Sequence, residues 1–129
     1  MILEAFDIAD HHLLLTTLDV PTLKNLRVSS NTLDELGLPA IKRIFIVNQS
    51  DINVGLTVKD VERSIETSVG IQIPASHAVP MSVNRGVTLF AFDPKHPVSK
   101  AIQSIANLFI EQKVSHRKRS TKFRRRNSQ

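Results

Sequence analysis

The sequence contains no cysteine, only four glycines, and no apolar run long enough to cross a bilayer. Without cysteine there are no disulfide bonds, thiolate metal sites or cysteine nucleophiles. The glycines are scattered, so no stretch matches a lysine-bearing phosphate loop or a dinucleotide-binding pattern. A membrane-spanning helix would need about 20 consecutive apolar residues. The first residues show no basic segment ahead of an apolar one, so we expect no secretory signal and a cytoplasmic location.

Charge is divided unevenly along the 129 residues. Residues 1–112 hold all twelve acidic side chains and nine basic ones, whereas residues 113–129 hold eight basic side chains and no acid. The net charge is therefore −3 for residues 1–112 and +8 for residues 113–129, so the overall net charge of +5 comes from a basic tail, residues 113–129. Residues 1–112 are long enough for one domain with a core, and we expect residues 113–129 to be disordered.

Three short apolar runs predict β-strands. Residues 13–17 are almost continuously apolar, residues 41–47 contain four successive apolar side chains from Ile44 to Val47, and residues 71–74 form a shorter run that ends at a proline. Continuous apolar runs of this length are typical of strands buried on both faces of a parallel sheet. We therefore expect the first strand, with its consecutive leucines, to be buried on both sides.

Helical spacing follows each of these runs. A helix is predicted from Pro21 to Gly37, and another opens at Thr57, whose spacing to Asp60 is that of a capping box. A short helix is predicted from residue 77, ending at Arg85, and a loop contains Pro94 and Pro97. The last helix has a wide apolar face, which we expect to be core and which comprises Val98, Ala101, Ile102, Ile105, Leu108 and Phe109.

This alternation predicts an α/β fold with a parallel sheet flanked by helices. Ligands of such sheets bind outside the carboxyl ends of the strands, which here are residues 16–21, 48–53 and 74–77. The Leu-Asp-Val-Pro corner at residues 18–21 is therefore either the rim of a ligand site or a simple strand-to-helix turn. Three strands are few for this class, which suggests part of a larger sheet.

Three segments of the sequence support a comparison with known families, namely DHHLLLTTLDVPTLKNLRVSSNTLDELGLP, IKRIFIVNQSDINVGLTVKDVERSI and VGIQIPASHAVPMSVNRGVTLFAFDPKHPVSKAIQSIANLF. In order and spacing they resemble the CpaE/TadZ-like branch of the MinD/ParA-type P-loop ATPases. That branch serves Flp/Tad pilus assembly and is often labelled septum-site determining. The most specific features are IPASHAVPMSVNRGVTLF and a strand that ends at Val47-Asn48. The resemblance implies that residues 1–112 are the C-terminal portion of a P-loop NTPase-like domain of the SIMIBI type.

The same resemblance implies two residues at the nucleotide base. In this family the loop after the strand that ends at Asn48 meets the base, and the loop at Pro74 lies on its other side. An Asn amide has both donors and an acceptor to offer a purine edge. The alternative is that Asn48 is a turn residue that bonds its own backbone.

ATP and Mg²⁺ are the ligands that the family implies, but the sequence departs from the family's pattern. Relatives carry a glycine-rich loop with two lysines near their N-terminus and a Walker-type aspartate on a later strand, and this sequence contains neither. Phosphoryl transfer draws its electrostatic stabilisation from those groups. We therefore assign no catalytic residue and expect weak ATP binding. A fragment, a split or mis-started reading frame and a truncated relative all remain open.

The basic tail is the remaining feature with a possible binding role. It lacks the repeated large apolar residues by which an amphipathic helix enters a membrane, but it could adhere to an anionic membrane surface or to nucleic-acid phosphates. Self-association, pilus-assembly proteins and an anionic membrane surface are the partners that we expect, with nucleic acid the weaker alternative. The basic side chains concerned are Arg117, Lys118, Arg119, Lys122, Arg124, Arg125 and Arg126.

The histidines predict no metal site, because none has the spacing of a helical ligand pair and no cysteine is present to join them. A Ser-His-Asp triad is a spatial arrangement, but no Gly-x-Ser-x-Gly elbow occurs, so we expect no hydrolase of that kind. Arg85 is expected to be a helix C-terminal charge rather than a catalytic arginine. The competing prediction for function is a catalytically inert interaction module that acts through an exposed sheet edge or through the basic tail, which would bind an acidic partner, a membrane surface or nucleic acid.

Overall fold

The computed structural model describes residues 2–110, and the side chains of residues 4–110. The fold is α/β: a three-stranded parallel sheet has helices on both faces, as the sequence predicts. Within the described residues, no helix has the combination of length and hydrophobicity that crossing a bilayer requires.

The sheet consists of β1 (His12–Thr16), β2 (Arg43–Asn48) and β3 (Ile71–Ile73), in that spatial order. All neighbours are parallel, and the register places Thr16 beside Val47, and Asn48 beside Ile73. The three carboxyl ends therefore lie at one edge of the sheet, which we call the carboxyl edge, and the opposite edge is called the amino edge.

The helices return the chain from the carboxyl edge to the amino edge between successive strands. In chain order they are α1 (Ile2–Ile8), α2 (Val20–Glu35), α3 (Val58–Ile65), α4 (Ala78–Asn84), α5 (Leu89–Phe92) and α6, which covers residues 97–110. The prediction of a strand from residue 41 is wrong at its start, because a 3-10 turn, Ala40–Lys42, precedes β2. The helices α1 and α5 are not predicted by the sequence patterns described above.

Local side-chain chemistry explains where the helices begin and end. Asp19 is the N-cap of α2, a proline occupies its first turn, and the chain turns after the helix at Gly37, whose φ of 71° suits glycine. The capping box that begins α3 is confirmed, since Thr57 and Asp60 each accept a hydrogen bond from the other's backbone N–H. Arg85 is confirmed as the C-cap of α4, and its guanidinium lies 5.2 Å from the centre of the Phe92 ring.

The centre of β2 is buried on both faces. Phe45 and Val47 face α2 and α3, where they pack with Leu26 and Val61, whereas Ile46 faces the opposite layer. On that opposite face Ile46 packs with Ile73, Leu89 and Val98, from β3, α5 and α6. Alternate residues of one strand therefore supply two separate cores, as the two-residue period of a strand requires.

The strand β1 is less covered than its sequence predicts. Leu14 packs against the core beneath α2 and α3, but Leu13 and Leu15, on the other face, are 40% and 56% exposed. The prediction that β1 is buried on both sides is therefore wrong for the described chain. The physical reason is that α6 covers β2 and β3, and β1 lies at the end of the sheet. Among the described residues, no strand pairs with its outer edge.

The predicted core face of α6 is only partly buried. Val98 is buried and Ala101 and Ile105 pack against the same core, but Ile102 is 46% exposed. Leu108 also lies at the surface. The sequence therefore predicts an apolar face on α6, but only about half of its residues pack in the core of the described part of the fold.

An ion pair fixes the beginning of β2 to the end of α2. The Arg43 guanidinium, whose side chain is 3% exposed, donates to the Asp34 carboxylate at 2.6 Å and to the carbonyl oxygens of Leu38 and Ser30. A buried guanidinium is stabilised only when its donors are matched in this way. Its Nε is buried with no partner among the described residues.

Replacement of Val47 by alanine tests the role of β2. Val47 is 0% exposed, so we expect Val47→Ala to lower the free energy of unfolding by about 2 kcal/mol through lost burial and a residual cavity. Val54→Ala is the matched control, because Val54 is 60% exposed and its truncation is expected to change the stability by less than about 0.5 kcal/mol. Urea unfolding followed by circular dichroism measures both. Equal losses in the two variants would contradict the proposed packing.

Candidate functional site

The carboxyl edge brings together the three loops that the sequence predicts to line a ligand site. The loop after β1 contains Asp19, the loop after β2 follows Asn48, the last residue of that strand, and the loop after β3 begins at Pro74. Asn48 and Pro74 are close neighbours, because Asn48 is the register partner of Ile73, the residue before Pro74. The two residues that the resemblance assigns to a nucleotide base thus lie on adjacent strand ends.

Asn48 uses one end of its amide locally. Its Oδ1 accepts a hydrogen bond from the backbone N–H of Gln49 at 3.0 Å, and Gln49 has a positive φ of 53°. This bond is the backbone-capping role that turn residues of this type perform. It occupies the acceptor and not the NH₂ group of the half-buried side chain, so a donor remains for a ligand.

A hydrogen bond between loops fixes the region around Pro74. The backbone N–H of Ala75 donates to the Asp51 carboxylate at 2.7 Å, and the N–H of Ser50 donates to the carbonyl of Ile73 at 3.0 Å. The loops after β2 and β3 are therefore joined to each other. Proline has no N–H, and the N–H of Ala75 is occupied, so this loop can offer a ligand carbonyl groups and an apolar ring but few donors.

Asp19 has a structural role that the sequence analysis did not assign. Its carboxylate accepts hydrogen bonds from the hydroxyl of Thr17, the hydroxyl of Thr22 at 2.6 Å and the backbone N–H of Thr22 at 2.8 Å. The Thr17 hydroxyl, followed by the two donors of Thr22, lowers the pKa of Asp19 below its ordinary value. The Leu-Asp-Val-Pro corner is therefore a capped strand-to-helix turn, and its carboxylate is already occupied.

A serine and a histidine meet at the same edge. Ser76 Oγ lies 3.1 Å from His96 Nε2, and the backbone N–H of Val98 donates to His96 Nδ1 at 3.1 Å. Since Nδ1 accepts, Nε2 carries the proton of the neutral ring and donates to Ser76. The oxygen of Ser76 also accepts from the N–H of Ala78. His96 therefore cannot act as the base for Ser76 in this arrangement.

The pair instead connects two loops and begins α6. His96 precedes Pro97, the first helical residue, and the carbonyl of His96 accepts the first helical hydrogen bond from Lys100 at 3.0 Å. With Nδ1 also accepting from Val98, His96 is the N-cap of α6. The sequence analysis missed this role, although a polar residue followed by proline is the signal that could have found it.

The described residues offer no site for a metal ion made of three or more His, Asp or Glu side chains. The carboxylates of Asp19 and Asp51 at the carboxyl edge already accept backbone N–H groups. Both carboxylates are therefore already used by protein donors, and the donor that the described loops leave over is the NH₂ group of Asn48. The seven basic residues assigned to the tail lie outside the described residues.

The capping role of Asp19 predicts a pH dependence. Because its folded pKa is below the unfolded value of about 3.9, its contribution to stability is present at neutral pH and is lost as the pH falls through the folded pKa. We therefore expect Asp19→Ala to lower the urea midpoint at pH 7 and to approach the wild type near pH 2. Paired urea titrations from pH 7 to pH 2 measure this difference. A difference that stays constant over the range would contradict the assignment.

The capping role of His96 predicts a graded response to substitution. His96→Ala removes the acceptor for the N–H of Val98 and is expected to cost about 1 kcal/mol. His96→Asn keeps a side-chain acceptor at the N-cap and is expected to lose clearly less. Urea unfolding of the two variants separates a capping role from simple contact with Ser76. Equal losses would argue against capping.

Comparisons with known proteins yield structural matches only. No model of a protein family matches the sequence, and no curated protein sequence matches it. Among solved structures, a ParA family ATPase from Chlorobium tepidum matches with a TM-score of 0.70 and 22% identity, over 78% of this chain and 41% of that chain. The MinC:MinD cell division protein complex from Aquifex aeolicus gives 0.69 and 22%, over 81% of this chain and 44% of that chain.

A third match includes a bound nucleotide. The septum site-determining protein MinD from Pyrococcus horikoshii, complexed with Mg-ADP, matches with a TM-score of 0.64 and 15% identity, over 76% of this chain and 40% of that chain. The chain thus spans less than half the length of each of these solved structures. At such identities the likeness establishes the fold. The chain therefore has the α/β fold of part of a MinD/ParA-type P-loop ATPase domain.

Proposed function

We propose that this chain supplies the base-binding side of a nucleotide site in a MinD/ParA-type ATPase domain of the CpaE/TadZ branch. The observation that carries the proposal is the position of Asn48 beside the Pro74 loop, at the carboxyl edge of a sheet whose fold is shared with an Mg-ADP-bound MinD. Parallel sheets bind ligands at this edge. The amide NH₂ of Asn48 is the donor that would meet the acceptor nitrogens of a purine.

The phosphate side of the proposed site would come from another segment. The carboxyl edge of the described residues offers occupied carboxylates and no lysine-bearing loop, so it holds neither the charge of a triphosphate nor its metal. Two observations support this division: among the described residues no strand pairs with the outer edge of β1, and Leu13 and Leu15 are exposed on one of its faces. We propose that a phosphate-loop segment continues the sheet beside β1, and that the chain by itself does not hydrolyse ATP.

The cellular role that we propose is scaffolding or positioning in pilus assembly, at the inner face of the membrane. This role follows from the resemblance to the CpaE/TadZ branch. The match to MinD in a MinC:MinD complex supports binding to protein partners as a property of this fold. Self-association or contact with pilus-assembly proteins would then be the purpose of the domain, with the nucleotide as its regulator.

The alternative function is an inert interaction module that acts through residues 113–129. The observation that favours it is the concentration of eight basic residues, without an acid, in that segment. Deletion of residues 113–129, followed by measurement of retention on anionic vesicles and on DNA, tests this reading. Unchanged retention on both would exclude the tail as the binding element.

A comparison of adenosine with ATP tests the proposed function. If the chain binds only the base, adenosine and ATP should bind with similar millimolar affinity, Mg²⁺ should have no effect, and both should shift the amide NMR signals of Gln49 and Ala75. Micromolar, Mg²⁺-dependent binding of ATP would show that a phosphate site is present. No shift at these amides with either ligand would refute the base-binding role.

Asn48→Asp is the sharpest variant for this experiment. It keeps the Oδ1 that accepts from Gln49 but replaces the NH₂ donor, so we expect adenosine shifts to fall at least fivefold. The matched control is Asn53→Asp, which introduces the same charge in the same loop and keeps the acceptor for the N–H of Gly55. Equal weakening in the two variants would point to charge alone and not to a contact with Asn48.

A further inference from the structure

The carboxylates of Asp19 and Asp51, both at the carboxyl edge, differ in how many of their oxygen atoms accept hydrogen bonds. In Asp19 both oxygens accept, Oδ2 from the hydroxyl of Thr17, and Oδ1 from the hydroxyl and the backbone N–H of Thr22. In Asp51 only Oδ1 accepts, from the backbone N–H of Ala75 at 2.7 Å. Its Oδ2 has no hydrogen-bond partner among the described residues, and the residue is exposed. Asp51 therefore retains an acceptor for a ligand.

Asp51 lies close to Asn48 at this edge. Asn48 is the register partner of Ile73, and the carbonyl of Ile73 accepts a hydrogen bond from the backbone N–H of Ser50 at 3.0 Å. The bond from Ala75 to Asp51 holds the continuation of the same loop. Asn48 and Asp51 therefore border one short stretch of chain, residues 73–75, and hydrogen bonds fix both sides of it.

The amide of Asn48 presents its donor group, because its acceptor is used by the chain. Oδ1 accepts from the backbone N–H of Gln49, and the NH₂ group lies on the opposite side of the amide from that bond. On the purine edge that contains N7, guanine has two acceptors, N7 and O6, whereas adenine has the acceptor N7 and the amino donor at N6. A group that presents only donors matches guanine at both positions and adenine at one.

The free oxygen of Asp51 matches the other edge of the same base. Guanine carries two adjacent donors, the N1–H and the amino group at N2, whereas adenine has an acceptor at N1 and only hydrogen at C2. A carboxylate accepts from neighbouring donors, and hydrogen bonds to a charged acceptor are the stronger ones. The same carboxylate repels the lone pair of an acceptor nitrogen. Asp51 therefore favours guanine, and the donor of Asn48 favours it independently.

We infer that Asp51 determines base specificity and that the described part of the site binds guanine in preference to adenine. This inference rests on the proposed base-binding role of the carboxyl edge, and it names the base. ATP is the nucleotide that the sequence resemblance implies, and one of the matched solved structures is a MinD complexed with Mg-ADP. A preference for guanine would therefore separate this chain from that protein, although the two share a fold.

A series of three nucleoside monophosphates tests the preference. Guanosine, inosine and adenosine 5′-monophosphate carry the same ribose and phosphate, so differences in affinity report the base. Inosine keeps the N1–H and O6 of guanosine but lacks its amino group at N2. NMR titrations followed at the amide of Gln49 and the side-chain NH₂ of Asn48 measure the dissociation constants. We expect these constants to rise from the guanosine to the inosine to the adenosine compound, by about tenfold or more over the series.

The same titrations distinguish failure of the inference from failure of the proposed function. Equal affinities for the three compounds, or tightest binding of the adenosine compound, would overturn the guanine preference and leave the base-binding role intact. If none of the three shifts the signals of Gln49 or Ala75, the carboxyl edge binds no base. That result would refute the proposed function and the inference together.

Asp51→Asn isolates the carboxylate. The variant keeps Oδ1 for the backbone N–H of Ala75 but replaces Oδ2 by an NH₂ group, which opposes the donors of guanine. We expect affinity for the guanosine compound to fall about fivefold or more, and affinity for the adenosine compound not to fall. The matched control, Asp93→Asn, removes the same charge and keeps the Oδ1 that accepts from the N–H of Lys95, so both affinities should stay unchanged.

Two results with these variants would contradict the assignment of Asp51. Equal loss of affinity for the guanosine and adenosine compounds in Asp51→Asn would mean that the carboxylate contacts the ribose or only supports the loop. Equal losses in Asp51→Asn and Asp93→Asn would mean that net charge controls binding. The amide of Ser50, which is bonded to Ile73, reports whether the loop is intact in the variant. If the variant does not fold, the nucleotide series on the unaltered chain still decides the inference.

Discussion

The burial of β2 between two helical layers is the constraint on which the rest of the structure depends. Its alternate residues pack in opposite directions, with Val47 in one core and Ile46 in the other, at 0% and 1% exposure. A strand covered in this way requires helices on both faces, and parallel neighbours require each connection to cross back along the sheet. All loops that leave strands therefore lie at one edge, and α2 and α3, which connect successive strands, end at the other.

The two edges consequently have different chemistry. At the carboxyl edge the polar groups are mostly matched to the backbone: Asp19 begins α2, Asp51 holds the loop after β3, and His96 begins α6. A ligand at this edge would bind the few polar groups that these hydrogen bonds leave unpaired, and the clearest of them is the amide of Asn48. At the amino edge, Asp34 and Glu35 end α2 and Glu66 follows α3, beside helix C-termini that carry a partial negative charge. The acidic amino edge and the Asn48 amide at the carboxyl edge are therefore separate features of one topology.

Sequence patterns predicted the parts of the fold that local chemistry determines. The capping box of Thr57 and Asp60, the turn at Gly37 and the three strands depend on neighbouring residues, and the structure contains them. The contact of His96 with Ser76 joins two loops 20 residues apart, so spacing alone does not reveal it, whereas the N-cap role of His96 is local and was signalled by the proline that follows it. Asn48 was predicted from a resemblance, and the structure supplies its position at the edge; its contact with a base stays a prediction.

The difference between prediction and structure at β1 is itself informative. Successive leucines in a strand point to opposite faces of the sheet, so all of them are buried only where both faces are covered. A fully exposed leucine lacks the stabilisation of about 1.5–3 kcal/mol that full burial would give. Leu14 is packed beneath helices, whereas Leu13 and Leu15 are not. The composition of β1 therefore suits an interior strand, although β1 lies at the end of the described sheet. Additional chain would resolve this mismatch: a strand beside β1 would pair its free backbone groups, whose exposure otherwise favours aggregation, and a helix on the open face would bury both leucines. The matched ATPases, each more than twice as long as the segment they share with this chain, have the additional chain length from which such a strand could come.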